Sequence, residues 1–140
     1  MSTLPDRDTL VFNFHRCANQ EEKYLYIIEL GSKLPSFSSA LYAKKNIISG
    51  CQSQVWISVG VDKKGLVVLE GDSDAALVKG LIAIVFSCYK NMTPHNVLCF
   101  DSRPWFSGLA FSQQLTPSRV HGLWAMLRSI RHKTRLLLEE

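Results

Sequence analysis

The segment from residue 74 to residue 90 constrains the fold of this chain more than any other part of it. Its side chains are apolar on most sides of a helix, and Asp72 and Ser73 stand where a helix N-cap belongs. A helix that is apolar all round is stable when other elements cover it. The sequence therefore predicts a central, buried helix over 74–90, with the rest of the chain packed around it.

A β-hairpin precedes that helix. Apolar residues alternate with polar ones over 54–61, and a return strand is predicted over 66–70. The turn between them ends in Gly65, which can adopt the positive φ that a tight turn requires. Because a two-stranded hairpin alone is marginal in water, a third strand is expected, and the segment 97–100 is the best candidate.

Helices flank the hairpin on both sides. Apolar residues recur at helical spacing over 6–17, and Asn19 is the predicted N-cap of a second helix, which Gly31 ends. Threonine–proline pairs predict the starts of a short helix and of the last helix, at 93–94 and 116–117. This order of elements predicts an α+β fold in which helices cover a small antiparallel three-stranded sheet.

Composition narrows the class of protein. The 140 residues suit a single domain over 1–140, and a hydrophobic content of 46% argues against disorder. The net charge of +4 is mild, and no stripe of basic and aromatic residues precedes the last helix, so no nucleic-acid partner is expected. The start carries acids without an apolar run, and the longest apolar run, 81–86, is too short to cross a bilayer. We therefore expect a cytoplasmic protein without a membrane partner.

The four cysteines lie far apart in the sequence. Zinc fingers and ribbons need close pairs of ligands, so no metal site is expected. Cys17, Cys88 and Cys99 have apolar neighbours, and we expect all three to be buried core residues.

Cys51 differs from the other cysteines because it follows Gly50 in a small, polar tip just before the first strand. If extended structure reaches back to it, its side chain shares the buried face with Val55 and Ile57. No histidine or arginine adjoins it in sequence, which argues against a self-sufficient cysteine hydrolase. Two interpretations stay open at this point. The residue is an inert small side chain at a turn, or it is a thiol offered to another protein to attack an already activated sulfur.

The stretch Gly50-Cys51-Gln52-Ser53-Gln54-Val55-Trp56 closely resembles the signature of the SufE family of sulfur-acceptor proteins. The resemblance covers nearly the whole chain, because further stretches match in the same order. These stretches are residues 21–31, 70–76, 78–81, 103–106 and 115–119.

The resemblance implies a fold similar to that of the IscU-type scaffold proteins and a role as a sulfur carrier. SufE-like proteins act with the pyridoxal-phosphate cysteine desulfurase SufS, which leaves a persulfide on its own cysteine. By the motif, Cys51 would take that sulfur as a persulfide, stimulate the desulfurase and pass the sulfur to the SufBCD scaffold complex for iron–sulfur cluster assembly. The chain itself would hold no cofactor.

The same resemblance singles out further residues. Gly50, Gln52, Asp74 and Arg119 are the expected partner contacts. Asp74 also has a structural explanation, since an anion near a helix N-terminus is favourable, whereas Arg119 stands in a first helical turn, where a cation is not. Two alternatives remain, a CsdE-like acceptor that serves the CsdA desulfurase and an IscU-like cluster scaffold. The sequence also leaves a homodimer open.

Overall fold

The structure, a computed structural model, describes residues 4–35, 39–51, 53–109 and 115–139. Two short 3₁₀ turns, Ser39–Tyr42 and Lys44–Asn46, precede the first strand. The helices and strands are α1 Arg7–Arg16, α2 Gln20–Ser32, β1 Val55–Val61, β2 Val67–Ser73, α3 Ala76–Cys88, α4 Pro94–Cys99, α5 Ser102–Gly108 and α6 Pro117–Glu139.

Helix α3 is the centre of the molecule, as its composition predicts. Every residue from 80 to 88 is buried. The predicted cap is wrong, however: α3 begins at Ala76, and its N-cap Ala75 makes no side-chain capping bond. Asp72 and Ser73 belong instead to the end of β2, because both residues pair with the facing strand β1.

Helices α2 and α3 approach each other backbone to backbone at two glycines. A Cβ atom added at Gly31 would lie 2.7 Å from the amide nitrogen of Gly80. One added at Gly80 would collide with the carbonyl oxygen of Ile27. The prediction that Gly31 ends α2 is therefore wrong. The helix continues to Ser32, and this glycine serves the close approach of two helices rather than a turn.

Strands β1 and β2 form the predicted antiparallel hairpin. Their register runs from Val55 opposite Ser73 to Val61 opposite Val67, so β2 extends beyond its predicted end. Gly65 in the turn has a φ of +80°, as expected. The carboxylate of Asp62 accepts hydrogen bonds from two turn amides, at 2.8 and 2.9 Å, and so holds the turn closed.

The α+β class is confirmed, but the predicted third strand over 97–100 is wrong. Within the described residues the sheet has two strands. Most of that segment belongs to α4, where Thr93 caps the helix, Pro94 occupies its first turn, and the side chain of Asn96 completes a capping box. The apolar side chain of Val97, fully buried, supplies helix packing rather than a strand face. A single bridge between Ile47 and Trp56 extends the pairing beside β1.

Helix α6 closes the structure over the hairpin. Its buried residues include Leu123, Met126 and Ile130. The ammonium of Lys133 donates a hydrogen bond to the carbonyl oxygen of Ile57 in β1, and burial, more than the charge of a neighbouring lysine, lowers the pKa of that ammonium. None of the described helices has the length and apolar character needed to cross a bilayer.

The glycine contact between α2 and α3 yields a test of the fold. We expect Gly80→Ala to lower the free energy of unfolding by about 3 kcal/mol, because the new methyl group meets backbone that cannot rotate away. Urea titration followed by circular dichroism measures this change. Gly108→Ala is the matched control, since it also lies in a helix but has nothing within 4 Å of its added Cβ. A similar effect of both substitutions would contradict the proposed contact.

Candidate functional site

Cys51 lies between the last 3₁₀ turn and β1, at a tip whose backbone is set by Gly50. Gly50 has a φ of +92°, a conformation that other residues rarely adopt. The thiol of Cys51 lies over α6, where it donates a long hydrogen bond of 3.8 Å to the carbonyl oxygen of Gly122. A Cβ atom at Gly122 would come within 3.3 Å of the sulfur, so a glycine at this position makes room for the thiol.

The thiol faces a small cavity of about 40 Å³. Its floor is apolar and comes from α3 and α6, through Val78, Leu81 and Met126. Ser118 and Arg119 form a polar rim. The volume exceeds what one water molecule needs, roughly 10–15 Å³ by the same kind of measure, so there is space beside the thiol for one more atom of that size.

Extended structure does not reach back to Cys51, which is the condition for the predicted parity, yet Cys51 still lines a cavity on the inner side of the tip. Val55 and Ile57 are fully buried, and Cys51 and Ser53 both line the small cavity on that side of the chain. Regular strand structure begins at Val55, so Cys51 itself lies in a loop and is half-buried. Burial raises the pKa of the Cys51 thiol above its ordinary value, and the resting side chain is therefore protonated at neutral pH.

Two basic side chains in the first turns of α6 lie at this site. Arg119, an expected partner contact, lines the cavity. The other, His121, was missed: sequence spacing indicated no histidine beside the thiol. Its Nε2 atom lies 3.3 Å from the position that a Cβ on Gly50 would take. The signal in the sequence is its place two residues after Arg119 and directly before Gly122, but sequence alone does not reveal that α6 crosses the tip.

Asp74 anchors the chain just beyond the tip. Its carboxylate accepts a hydrogen bond of 3.1 Å from the backbone amide of Gln54, and its own amide donates to the carbonyl oxygen of Gln54 at 3.4 Å. This side chain therefore ties the entrance of β1 to the end of β2. Gln52, the remaining expected contact, lies outside the described residues.

The other cysteines occupy three different environments. Cys88 is buried, which raises the pKa of its thiol to about 12. Cys17 is half-buried, and its thiol donates to the carbonyl oxygen of Asn13 at 3.5 Å. Cys99 is exposed, so the prediction that it belongs to the core is wrong. It is the last residue of α4, and the buried face of that short helix is provided by Val97.

The described part of the chain brings no three His, Cys, Asp or Glu side chains together in a group that could hold a metal ion. All four cysteines are free. The arrangement at Cys51 is therefore a single, sheltered thiol with an apolar floor and a basic rim. Such a group can attack an electrophilic sulfur once it has left its cavity, and it can carry one additional atom back.

Comparisons with known proteins agree with this fold. The family model described as "SufE: Fe-S metabolism associated domain" matches residues 8–134. The solution structure of a hypothetical protein from Thermus thermophilus is similar, with a TM-score of 0.79 and 20% sequence identity over 98% of each chain. At that identity the likeness of the two structures concerns the fold.

The pH dependence of alkylation tests the buried resting state of Cys51. Because burial raises the pKa of this thiol, we expect its rate of reaction with iodoacetamide to reach half of its maximum at a higher pH than in the unfolded chain, whose midpoint lies near the ordinary thiol pKa of about 8.5. Mass spectrometry of the peptide containing Cys51 measures both profiles. A folded protein whose profile matches that of the unfolded chain would contradict the sheltered thiol.

Proposed function

The chain belongs to the SufE family, and from that premise we propose that it is a sulfur carrier that works through Cys51. Family membership gives the protein a role in iron–sulfur metabolism. In the proposed role, Cys51 accepts persulfide sulfur from the cysteine desulfurase SufS, stimulates that enzyme by removing its product, and delivers the sulfur to the SufBCD scaffold. The carrier itself is not an enzyme and needs no cofactor.

The observation that carries this proposal is the space beside the Cys51 thiol. A carrier must hold a labile sulfur atom away from water and from competing thiols. The cavity of about 40 Å³ has an apolar floor formed by Val78, Leu81 and Met126. A terminal persulfide sulfur is large and polarisable, so a recess of this size with an apolar floor has room for it and contacts it favourably.

The transfer step balances as a thiol exchange. The thiolate of Cys51 attacks the terminal sulfur of the desulfurase persulfide, and a new S–S bond forms as the old one breaks. The desulfurase cysteine leaves as a thiolate and takes up a proton, while Cys51 now carries the persulfide. No external oxidant or reductant is required, because the sulfur moves at the same oxidation level.

Little holds the thiol in its resting position. Its hydrogen bond to Gly122 is long, at 3.8 Å, and such a contact contributes well under about 1 kcal/mol. Gly50, with its positive φ, gives the tip a backbone pivot. We propose that docking swings Cys51 out of the cavity and that the partner supplies the environment that lowers its pKa.

The surroundings of the tip offer contacts for that docking. Arg119 and His121 are both exposed on the first turns of α6, and Asp74 is exposed just beyond the tip. We propose that Arg119, Asp74, Gly50 and Gln52 contact the desulfurase, with His121 beside them. The same surface would serve a CsdA-type desulfurase, so stimulation must be measured with both enzymes.

Replacing the proposed carrier residue tests the function directly. After mixing with SufS and cysteine, the protein should gain the mass of one sulfur atom, and Cys51→Ser should gain none while folding normally. The matched control is Cys99→Ser, which removes an exposed thiol and should leave the mass gain unchanged. Transfer that survives in Cys51→Ser, or that is lost in Cys99→Ser, would overturn the assignment of Cys51.

Charge-neutral variants test the docking surface. Asp74→Asn keeps an oxygen for the Gln54 amide but loses its charge, and Arg119→Gln keeps polarity without charge. We expect each variant to retain the melting temperature within a few degrees and to weaken SufS binding by about fivefold, roughly 1 kcal/mol. Titration calorimetry measures the affinity. Unchanged affinity and stimulation for Arg119→Gln would remove that residue from the proposed interface.

A further inference from the structure

A second and larger cavity lies where α4, α5 and α6 meet. Its volume is about 480 Å³, within the range typical of small-molecule sites. It shares no lining residue with the cavity beside Cys51. The residues that give it chemical character are Cys99, Asp101, Arg103, Trp124, Arg128 and Arg131.

The charge of this cavity favours anions. Its lining contains three arginines and one carboxylate, which leaves a net charge of +2. Arg103 is paired with the carboxylate of Asp101, at 3.1 and 3.2 Å, and Arg131 donates to the carbonyl oxygen of Val97 at 3.2 Å. Arg128 is exposed on α6 one turn before Arg131. A guanidinium group binds a planar carboxylate through two parallel N–H donors, so a carboxylate ligand matches this wall.

The cavity also contains a thiol and an apolar surface. Cys99, exposed at the end of α4, lines the cavity together with Trp124 and Leu127 of α6. Leu98 and Phe100 complete the apolar part of the lining. A ligand with carboxylates at one end and a sulfur near its centre could therefore contact the arginines and the thiol together.

We propose that this cavity binds small anionic disulfides and that Cys99 is converted there into a mixed disulfide. The thiolate of Cys99 attacks one sulfur of the bound disulfide, its proton having passed to solvent. The S–S bond of the ligand breaks, one half stays attached to Cys99, and the other half leaves as a thiolate. Cys99 is oxidised to the mixed disulfide, and the departing half is the reduced product.

The contrast with Cys51 explains why the modification would be selective. Cys51 is half-buried beside a space of about 40 Å³, too small for a disulfide ligand, and burial raises the pKa of its thiol. Cys88 is buried, with a thiol pKa of about 12. Access and local positive charge coincide at Cys99, and both increase the rate at which an anionic disulfide meets a thiol.

The test compares an anionic with a neutral disulfide on the full reduced chain. Oxidised glutathione supplies the carboxylates, and hydroxyethyl disulfide lacks them. Peptide mapping measures the rate at Cys99, and each rate is divided by that of N-acetylcysteine amide with the same reagent. We expect the normalised rate at Cys99 to be at least about threefold higher for glutathione disulfide, and this preference to disappear in high salt.

Arginine variants test whether the charge of this cavity causes the preference of Cys99 for glutathione disulfide. Arg128→Gln should reduce the glutathione rate at Cys99 by about threefold and leave the hydroxyethyl disulfide rate unchanged. Arg135→Gln is the matched control, since it removes the same charge from an exposed position of α6 outside the cavity, and it should have no effect. Arg103→Gln provides a second variant from α5. Equal normalised rates for the two reagents, equal effects of Arg128→Gln and Arg135→Gln, or modification at Cys51 instead of Cys99 would each overturn the proposal.

Discussion

The backbone contact between α2 and α3 is the constraint on which the rest of the structure depends. Gly31 and Gly80 leave room for nothing larger than hydrogen between the two helices, so the helices can meet in one register. That contact fixes α3, and α3 in turn supplies Val78 and Leu81 to the floor beside the Cys51 thiol. The same helix packs closely on β2 at Gly71, where an added Cβ would lie 2.8 Å from a ring carbon of Phe86 in α3. The position of the thiol therefore follows from how closely two helices pack.

Shelter and reactivity make opposite demands on Cys51. In the proposed function, burial would keep a bound sulfur atom from water, but the same burial raises the pKa of the thiol and suppresses the nucleophilic thiolate. A long hydrogen bond to Gly122 and a small cavity bias the side chain inward without locking it there. A partner that binds the outward position more tightly shifts this equilibrium by its difference in affinity alone. In the proposed function, the resting protein would thus be protected from side reactions until it docks.

Local signals in the sequence predict much of this fold. The turn at Gly65, the cap at Thr93 and the buried helix predicted from the apolar segment that forms α3 each rest on neighbouring residues, and each is confirmed. The predictions for Gly31 and for the segment 97–100 are wrong because in each case the same local pattern fits two different structures. A glycine that ends a helix and a glycine that admits another helix look the same in sequence. A short apolar run can likewise fill either a strand or a single helical turn.

The residues of the site also separate into those that the sequence predicts and those that it does not. The family signature singles out Cys51 in the sequence, whereas its inward position depends on a loop that packs on α6 rather than on the parity of β1. The position of His121 against Gly50 could not be predicted from the sequence either, because it depends on how α6, a distant part of the chain, crosses the tip. The exposure of Cys99 depends likewise on which face of the short helix α4 turns inward. Contacts between elements distant in sequence leave no local pattern to recognise.

One helix provides a wall for both thiol environments. Helix α6 runs from Pro117 to Glu139, and the stretch from Gly122 to Arg131 spans about 14 Å of it at about 1.5 Å per residue. Near its start it offers Cys51 a glycine and an apolar floor, and further along it offers Cys99 two guanidinium groups beside a tryptophan. The two cysteines have the same side chain and face the same helix. Any difference in their reactivity must therefore come from what surrounds them, which is low polarity and little space at Cys51 and positive charge and open access at Cys99.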